Sequence, residues 1–312
     1  MSRTLALLFP GQGSQAAGMG SALAKEFPVA AQVFVEADEA LGFKLSTLCF
    51  EGPDDALKLT ANAQPSIVAT SIAALRVLEQ EVGVTPSCVA GHSLGEYSAL
   101  VAAGALTLAD AVRIVRERGR LMQDAVPVGV GSMAALFNLS ADEVTAVCAE
   151  AAQGQVVSPA NLNGGGQVVI AGHTEAVRRA ITVAKSRGAK RAIELAVSAP
   201  FHCALMAPVA DGLAQVLAPI VVTAPRVGVI TNVTAEVNQD PAAIKELLIR
   251  QVTAPVRWEE SMAKLPALQC QAALEVGPGK VLAGLLKRIV ADLACVSFSD
   301  PAGLAEAKGV AA

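Results

Sequence analysis

A serine set between glycines, Gly91-His92-Ser93-Leu94-Gly95, is the segment of this chain best suited to chemistry. The apolar stretch Ser87-Cys88-Val89-Ala90 before it reads as a short buried strand, and residues 96–103 after it read as a helix. Strand, sharp turn and helix are the setting of a nucleophile elbow. The glycines permit the turn, and the hydroxyl stands at a helix head where main-chain N–H groups can stabilise an oxyanion.

A serine hydroxyl needs a base at neutral pH. The histidines are His92, His173 and His202. His92 adjoins the serine, but neighbours on a tight elbow point apart. His173 follows a strand and reads as a turn residue. His202, in Ser198-Ala199-Pro200-Phe201-His202, is the candidate base. An α/β-hydrolase brings its acid and then its histidine late in the chain. Here a long stretch follows His202 and no acid is marked as a third member, so a Ser–His dyad oriented by main-chain carbonyls fits better. Gly277-Pro278-Gly279-Lys280 is followed by Val281 and lacks the Walker pattern, so it reads as a strand-to-helix turn. Arg113, Arg116, Arg118 and Arg120 share one predicted helix and, on spacing alone, read as a solvated face.

The elements that must carry these residues alternate in type. Leu5-Ala6-Leu7-Leu8-Phe9 is an apolar strand ending in the turn Pro10-Gly11-Gln12-Gly13. Helices are predicted over 21–41, over 65–82 with Pro65 in the first turn, and over 108–124. From about residue 129 the order becomes strand, helix, strand, strand, helix, strand. Ser132 to Leu139 opens it, Ser140 caps a helix, Asn163-Gly164-Gly165-Gly166 is a turn, and Lys190 to Ser198 closes it. Then follow helix 204–218, strand 226–231, helices 241–252 and 256–266, strand 271–276, helix 278–290 and strand 293–298. The tail from Pro301 is expected to fray. The fold class is α/β: an α/β-hydrolase-like large subdomain with a parallel core sheet (1–128 and 199–312), carrying an inserted ferredoxin-like βαββαβ subdomain (129–198).

Composition agrees with an enzyme of this class. The chain has 312 residues, enough for one large domain with an insertion, and 53% are hydrophobic, enough for a large core. Net charge is −4, which offers nucleic acid no basic field. No apolar run has membrane-spanning length, and the N-terminal apolar stretch is too short for a signal peptide. Six cysteines stand far apart without a C-x-x-C pair and read as reduced thiols, which points to the cytoplasm. No histidine lies near a cysteine or another histidine, so no zinc site is expected.

Several segments in order then resemble the malonyl-CoA:acyl carrier protein transacylase family of fatty acid and polyketide synthesis. They are Phe9-Pro10-Gly11-Gln12-Gly13, Gly91 to Glu96, Arg118-Gly119 with Met122-Gln123, Pro200-Phe201-His202, and Gln251 with Pro255-Val256 and Trp258. Asn161 and Asn163 with Gln167 to Gly172, and Glu275 to Gly279, match as well, so the resemblance runs from about 5 to 298. It implies that Ser93 is acylated, that His202 is its base, and that the N–H groups of Leu94 and Gln12 form the oxyanion hole. It implies that the carbonyl of Gln251 holds the histidine ring and that Arg118 pairs with the malonyl carboxylate. Met122, Phe201 and Asn163 are expected to touch substrate, with Phe201 resembling the malonyl-selective form. No metal or redox cofactor is implied, coenzyme A entering as the substrate thioester.

The implied partners are malonyl-CoA and an acyl carrier protein. Arg178, Arg179, Lys185, Arg187, Lys190 and Arg191 form a basic run suited to an acidic carrier. Neither nucleic acid nor membrane is expected as a partner, and a monomer is expected. Two other readings stay open: a trans-acting malonyl transferase that loads a polyketide synthase, and a serine (thio)esterase.

Overall fold

The strand Leu5–Phe9 is apolar at every position because it runs through the middle of a sheet covered on both faces. The structure, a computed structural model, describes residues 3–197 and 199–312. In chain order its strands are Leu5–Phe9 (β1), Pro86–Gly91 (β2), Gly131–Phe137 (β3), Val157–Gly164 (β4), Gln167–His173 (β5), Arg191–Glu194 (β6), Gly228–Ile230 (β7), Val237–Asn238 (β8), Ala272–Val276 (β9) and Ala294–Phe298 (β10). They form two sheets in a mixed α/β fold. One runs β10-β9-β1-β2-β7-β8, parallel except for the short antiparallel β8 at its edge. The other runs β4-β5-β3-β6 and is antiparallel throughout.

Alternation along β1 divides the core. Leu5, Leu7 and Phe9 pack on the side of the long helix Thr60–Glu81, while Ala6 and Leu8 pack with Cys88, Ala90, Trp258 and Leu285. The antiparallel sheet is also two-sided. Leu136 and Ile170 pack beneath the helices Ala141–Ala152 and Thr174–Ser186, the first opened by the expected capping box of Ser140 and Glu143. Met133, Ala135 and Ala171 face the other way and meet Cys203 and Phe201. The segment that returns the chain from the small sheet is thus clamped beside it.

Several predicted elements differ. The helix expected over 21–41 is two, Ser21–Glu26 and Pro28–Leu41, because Phe27 before a proline is held extended. Thr60–Glu81 begins earlier than expected and carries Pro65 in its interior. Proline cannot donate to the Ala61 carbonyl, and Arg116 Nη1 takes that carbonyl at 2.9 Å. Leu45–Glu51 and Asp54–Lys58 are helices where no element was expected. β4 runs on through Asn163 to Gly164, into the stretch that reads as a turn, with register irregularities between Pro159 and Asn161 and between Leu162 and Gly164. β6 ends at Glu194, short of the expected strand to Ser198, which lies outside the described residues. The tail forms the helix Leu304–Ala311, anchored by buried Ala307. Among the described residues no helix is long and apolar enough to cross a membrane.

Candidate active site

β2 delivers Ser93 on a strained turn. Its φ is 50°, the left-handed region that disfavours a side chain. The flanking glycines are sterically required: a Cβ on Gly91 would stand 1.9 Å from the Gly95 carbonyl oxygen, and one on Gly95 would stand 2.1 Å from that of Phe9. Buried Asn232, just beyond β7, ties the turn from both sides. Its Oδ1 accepts from the Ser93 N–H at 2.6 Å, and its Nδ2 donates to the Gly91 carbonyl at 2.7 Å.

His202 meets the nucleophile. Its Nε2 lies 2.7 Å from Ser93 Oγ, and its Nδ1 lies 2.8 Å from the main-chain carbonyl of Gln251. A carbonyl can only accept, so Nδ1 carries the proton and Nε2 is free to accept from the serine. His202 also has positive φ, 61°, so both members of the dyad sit on strained backbone. Burial, then the nearby Arg118 charge, pushes its pKa down to about 3, which keeps the ring a neutral base. No carboxylate is hydrogen-bonded to the ring among the described residues.

Arg118 is not on a solvated face. It is 1% exposed, at the point where its helix, Leu108–Asp124, crosses Thr60–Glu81. Gly119 beside it permits the close approach, since a Cβ there would come within 2.6 Å of the Thr60 carbonyl. Nη1 donates to Gln64 Oε1 at 2.8 Å, and Nη2 donates to Gln251 Oε1 at 3.0 Å and to Ser93 Oγ at 3.3 Å. All three partners are uncharged, and no carboxylate forms a salt bridge with Arg118 among the described residues. The nearest acid in this network is buried Glu96, one step removed: Gln251 Nε2 donates to Glu96 Oε2 at 2.7 Å and the Asn232 N–H donates to it at 3.1 Å. Burial pushes Glu96 up to about 7. A guanidinium with only neutral partners suits an anionic ligand group.

These groups open into a cavity of about 400 Å³ between the two sheets. Its wall includes Gln12, Ser93, Leu94, Arg118, Met122 and Phe201. Met122 lies one helical turn beyond Arg118 and so shares its face. The main-chain N–H groups of Gln12 and Leu94 make no internal hydrogen bond among the described residues and adjoin the serine's end of the cavity. Asn163 is not in the wall. It lies behind His92, its Oδ1 accepting from Nε2 at 2.9 Å, and Asn161 lines the cavity instead. His173 is structural: its Nδ1 accepts from the Val156 N–H at 3.0 Å. Sequence reasoning gave no role to Asn232, Gln64 or Glu96. Glu96 was within reach, as the residue following the elbow motif.

The basic run does not present six available cations. Arg178 is paired with Glu175 and Glu194, and Arg187 with Glu150. Arg179 donates to the carbonyls of Ala151 and Ala152 at the end of a helix. Arg191 stacks over Phe137. Lys185 and Lys190 are exposed.

The arrangement can form an acyl-serine and hold an acyl group that ends in an anion. Comparison with known proteins agrees. The model of the acyl transferase domain matches residues 6–302. The malonyl CoA-acyl carrier protein transacylase of Salmonella typhimurium is 49% identical over 302 residues, covering 97% of this chain and 98% of the relative. The crystal structure of an acyl carrier protein S-malonyltransferase from Vibrio cholerae superposes with a TM-score of 0.95 at 49% identity, covering 97% of this chain and 99% of that one. A type II PKS acyl-carrier protein in complex with its malonyl-transacylase matches with a TM-score of 0.95 at 48% identity, covering 98% and 99%.

Proposed function

The chain belongs to the acyl transferase domain family, and from that premise we propose that it moves a malonyl group from malonyl-CoA to the phosphopantetheine thiol of an acyl carrier protein. The observation that carries the choice of acyl group is Arg118, a buried cation 3.3 Å from the nucleophile with no anionic partner among the described residues. A malonyl carboxylate supplies that partner, and an acetyl group leaves the charge unpaired.

The reaction is ping-pong. His202 Nε2 takes the Ser93 proton as Oγ attacks the thioester carbonyl, and the oxyanion rests on the N–H groups of Gln12 and Leu94. The protonated imidazole then gives its proton to the departing coenzyme A sulfur. The carrier thiol reverses these steps on the malonyl-serine. Phe201 and Met122 narrow the acyl pocket. Gln251 steadies the base with its main chain and the arginine with its side chain.

We read the chain as a large catalytic subdomain, 1–128 and 199–312, and a small one, 129–198, a division that the two separate sheets support. The parallel sheet with its elbow after β2 supports the α/β-hydrolase likeness of the first. The spatial order β4-β5-β3-β6 supports the ferredoxin likeness of the second. An acidic carrier protein would meet Lys185, Lys190 and Arg191 rather than the whole basic run. The six free thiols favour a reducing, cytoplasmic setting.

A polyketide carrier is the second reading, favoured by the likeness to the type II PKS complex. Intact-protein mass spectrometry after brief exposure to malonyl-CoA, acetyl-CoA or methylmalonyl-CoA tests the chemistry. A malonyl adduct that requires Ser93 and is lost or replaced by acetyl in Arg118→Ala is expected. No adduct, or one indifferent to Arg118, would move the assignment to a thioesterase. Transfer to fatty acid and polyketide carriers side by side separates the two pathways.

A further inference from the structure

The cysteines are free, but two of them touch. Cys88 on β2 and Cys270, just ahead of β9, hold their sulfurs 3.6 Å apart. The hydroxyl of exposed Ser87 lies 3.6 Å from Cys270 Sγ. Both sulfurs sit on the face of the parallel sheet packed with Ala6, Ala90 and Leu265, away from the acyl cavity. Cys270 is itself buried, at 7% exposure, but Gln269 and Gln271 on either side of it are exposed, whereas Cys88 is 2% exposed.

We propose that Cys88 and Cys270 form a dithiol oxidation site for hydroperoxides, in which Cys270 is oxidised first and Cys88 resolves it as a disulfide. Reactivity toward peroxide follows thiolate character and access. Burial pushes Cys49 and Cys203 up to about 11, and Cys148 and Cys295 up to about 12. Cys270 moves the other way, downward, because contact with the Cys88 thiol, and less so with the Ser87 hydroxyl, favours a thiolate there against the opposing effect of burial. The same contact raises Cys88, which holds the proton.

In the first step the Cys270 thiolate attacks one peroxide oxygen. The S–O bond forms, the O–O bond breaks, and the other oxygen leaves as water or an alcohol after taking a proton. In the second step Cys88 loses its proton as its sulfur attacks Cys270. The S–S bond forms, the S–O bond breaks, and the oxygen leaves as water. Together the two thiols give up two electrons and two protons, and one hydroperoxide is reduced. Contact between the sulfurs makes resolution faster than further oxidation of Cys270 to sulfinic acid. Neither sulfur lines the acyl cavity, and both pack in the core on the face of the sheet away from it, so malonyl-serine formation persists in the oxidised protein.

Hydrogen peroxide on the full chain, followed by intact-mass and peptide mapping, tests this. The expected product has lost two hydrogens, contains a Cys88–Cys270 peptide pair, and is reversed by dithiothreitol. In Cys88→Ala the sulfenic acid at Cys270 becomes trappable by dimedone and proceeds to sulfinic acid. In Cys270→Ala, Cys88 stays reduced. Mapping on the unaltered chain decides even if a variant misfolds. Oxygen arriving first at Cys49, Cys148, Cys203 or Cys295, or a sulfinic Cys270 beside a reduced Cys88, would overturn the proposal.

Discussion

Gln251 holds His202 through its main chain, its carbonyl oxygen 2.8 Å from Nδ1, while its side chain serves other groups. Replacing the side chain therefore leaves the histidine's support in place. Gln251→Ala removes the bonds to Arg118 and Glu96, together with the 3.0 Å bond from Nε2 to the Ser93 carbonyl, and frees the guanidinium to shift. Malonyl-CoA kcat/KM should fall about tenfold to a hundredfold, given ~1.5–3 kcal/mol for a hydrogen bond to a charged group. Acetyl-CoA turnover should fall far less. Equal losses for both thioesters would mean that the side chain acts chiefly through its bond to the Ser93 carbonyl, holding the nucleophile's turn.

Arg118→Ala should reverse the acyl preference. Losing a charge-assisted contact of about 3 kcal/mol lowers malonyl-CoA kcat/KM by roughly a hundredfold. The acetyl reaction loses no carboxylate contact, only the 3.3 Å bond from Arg118 to Ser93 Oγ, and should fall far less. Arg118→Lys should recover little, because an ammonium cannot span Gln64 and Gln251 as the planar fork does. Competition between the two thioesters, read by the mass of the acyl-enzyme, measures the ratio directly.

Asn232→Ala should damage rate and stability together. Ser93 keeps φ 50° under the two bonds from the Asn232 side chain. Without them the turn relaxes, at about 2 kcal/mol in stability for two buried hydrogen bonds. The displaced hydroxyl should lower kcat about tenfold or more while KM for malonyl-CoA changes little, since Arg118 is untouched. Urea unfolding and steady-state kinetics on one preparation separate the effects.

What could be read from the residues followed the range of the interactions. β1, the elbow and the Ser140 capping box are local patterns, and they stand where expected. The pairing of Ser93 with His202 follows from weighing three histidines and then from motif resemblance, and it bridges 109 residues. Asn232 had no local signature: it stands 139 residues from Ser93, and only the β2–β7 pairing brings it near. Arg118 looked like its neighbours Arg113 and Arg120 because helical spacing alone does not reveal a crossing at Gly119. The tail misled for a similar reason, since an alanine-rich helix carries little amphipathic contrast and Ala307 is buried only through its fit against the sheet.

Glu96, rather than His202, should set the acid limb of the pH–rate profile. His202 is pushed down to about 3 by burial and then by Arg118, so it stays neutral throughout the working range. Glu96 is pushed up to about 7 by burial, so its carboxylate gains a proton as pH falls through that value. Protonation weakens acceptance from Gln251 and Asn232, the two residues that steady Arg118 and the elbow. Malonyl-CoA kcat/KM should therefore decline below about pH 7 and be flat above it. Thermal stability is the wrong readout. A raised carboxyl loses stability as pH rises from its ordinary value toward about 7, while a lowered imidazole loses it as pH falls below its own, and the two oppose each other in between. Glu96→Gln cannot titrate, so it should flatten the limb at the reduced rate that the unaltered protein reaches in acid. An acid limb that survives Glu96→Gln would return the titration to His202.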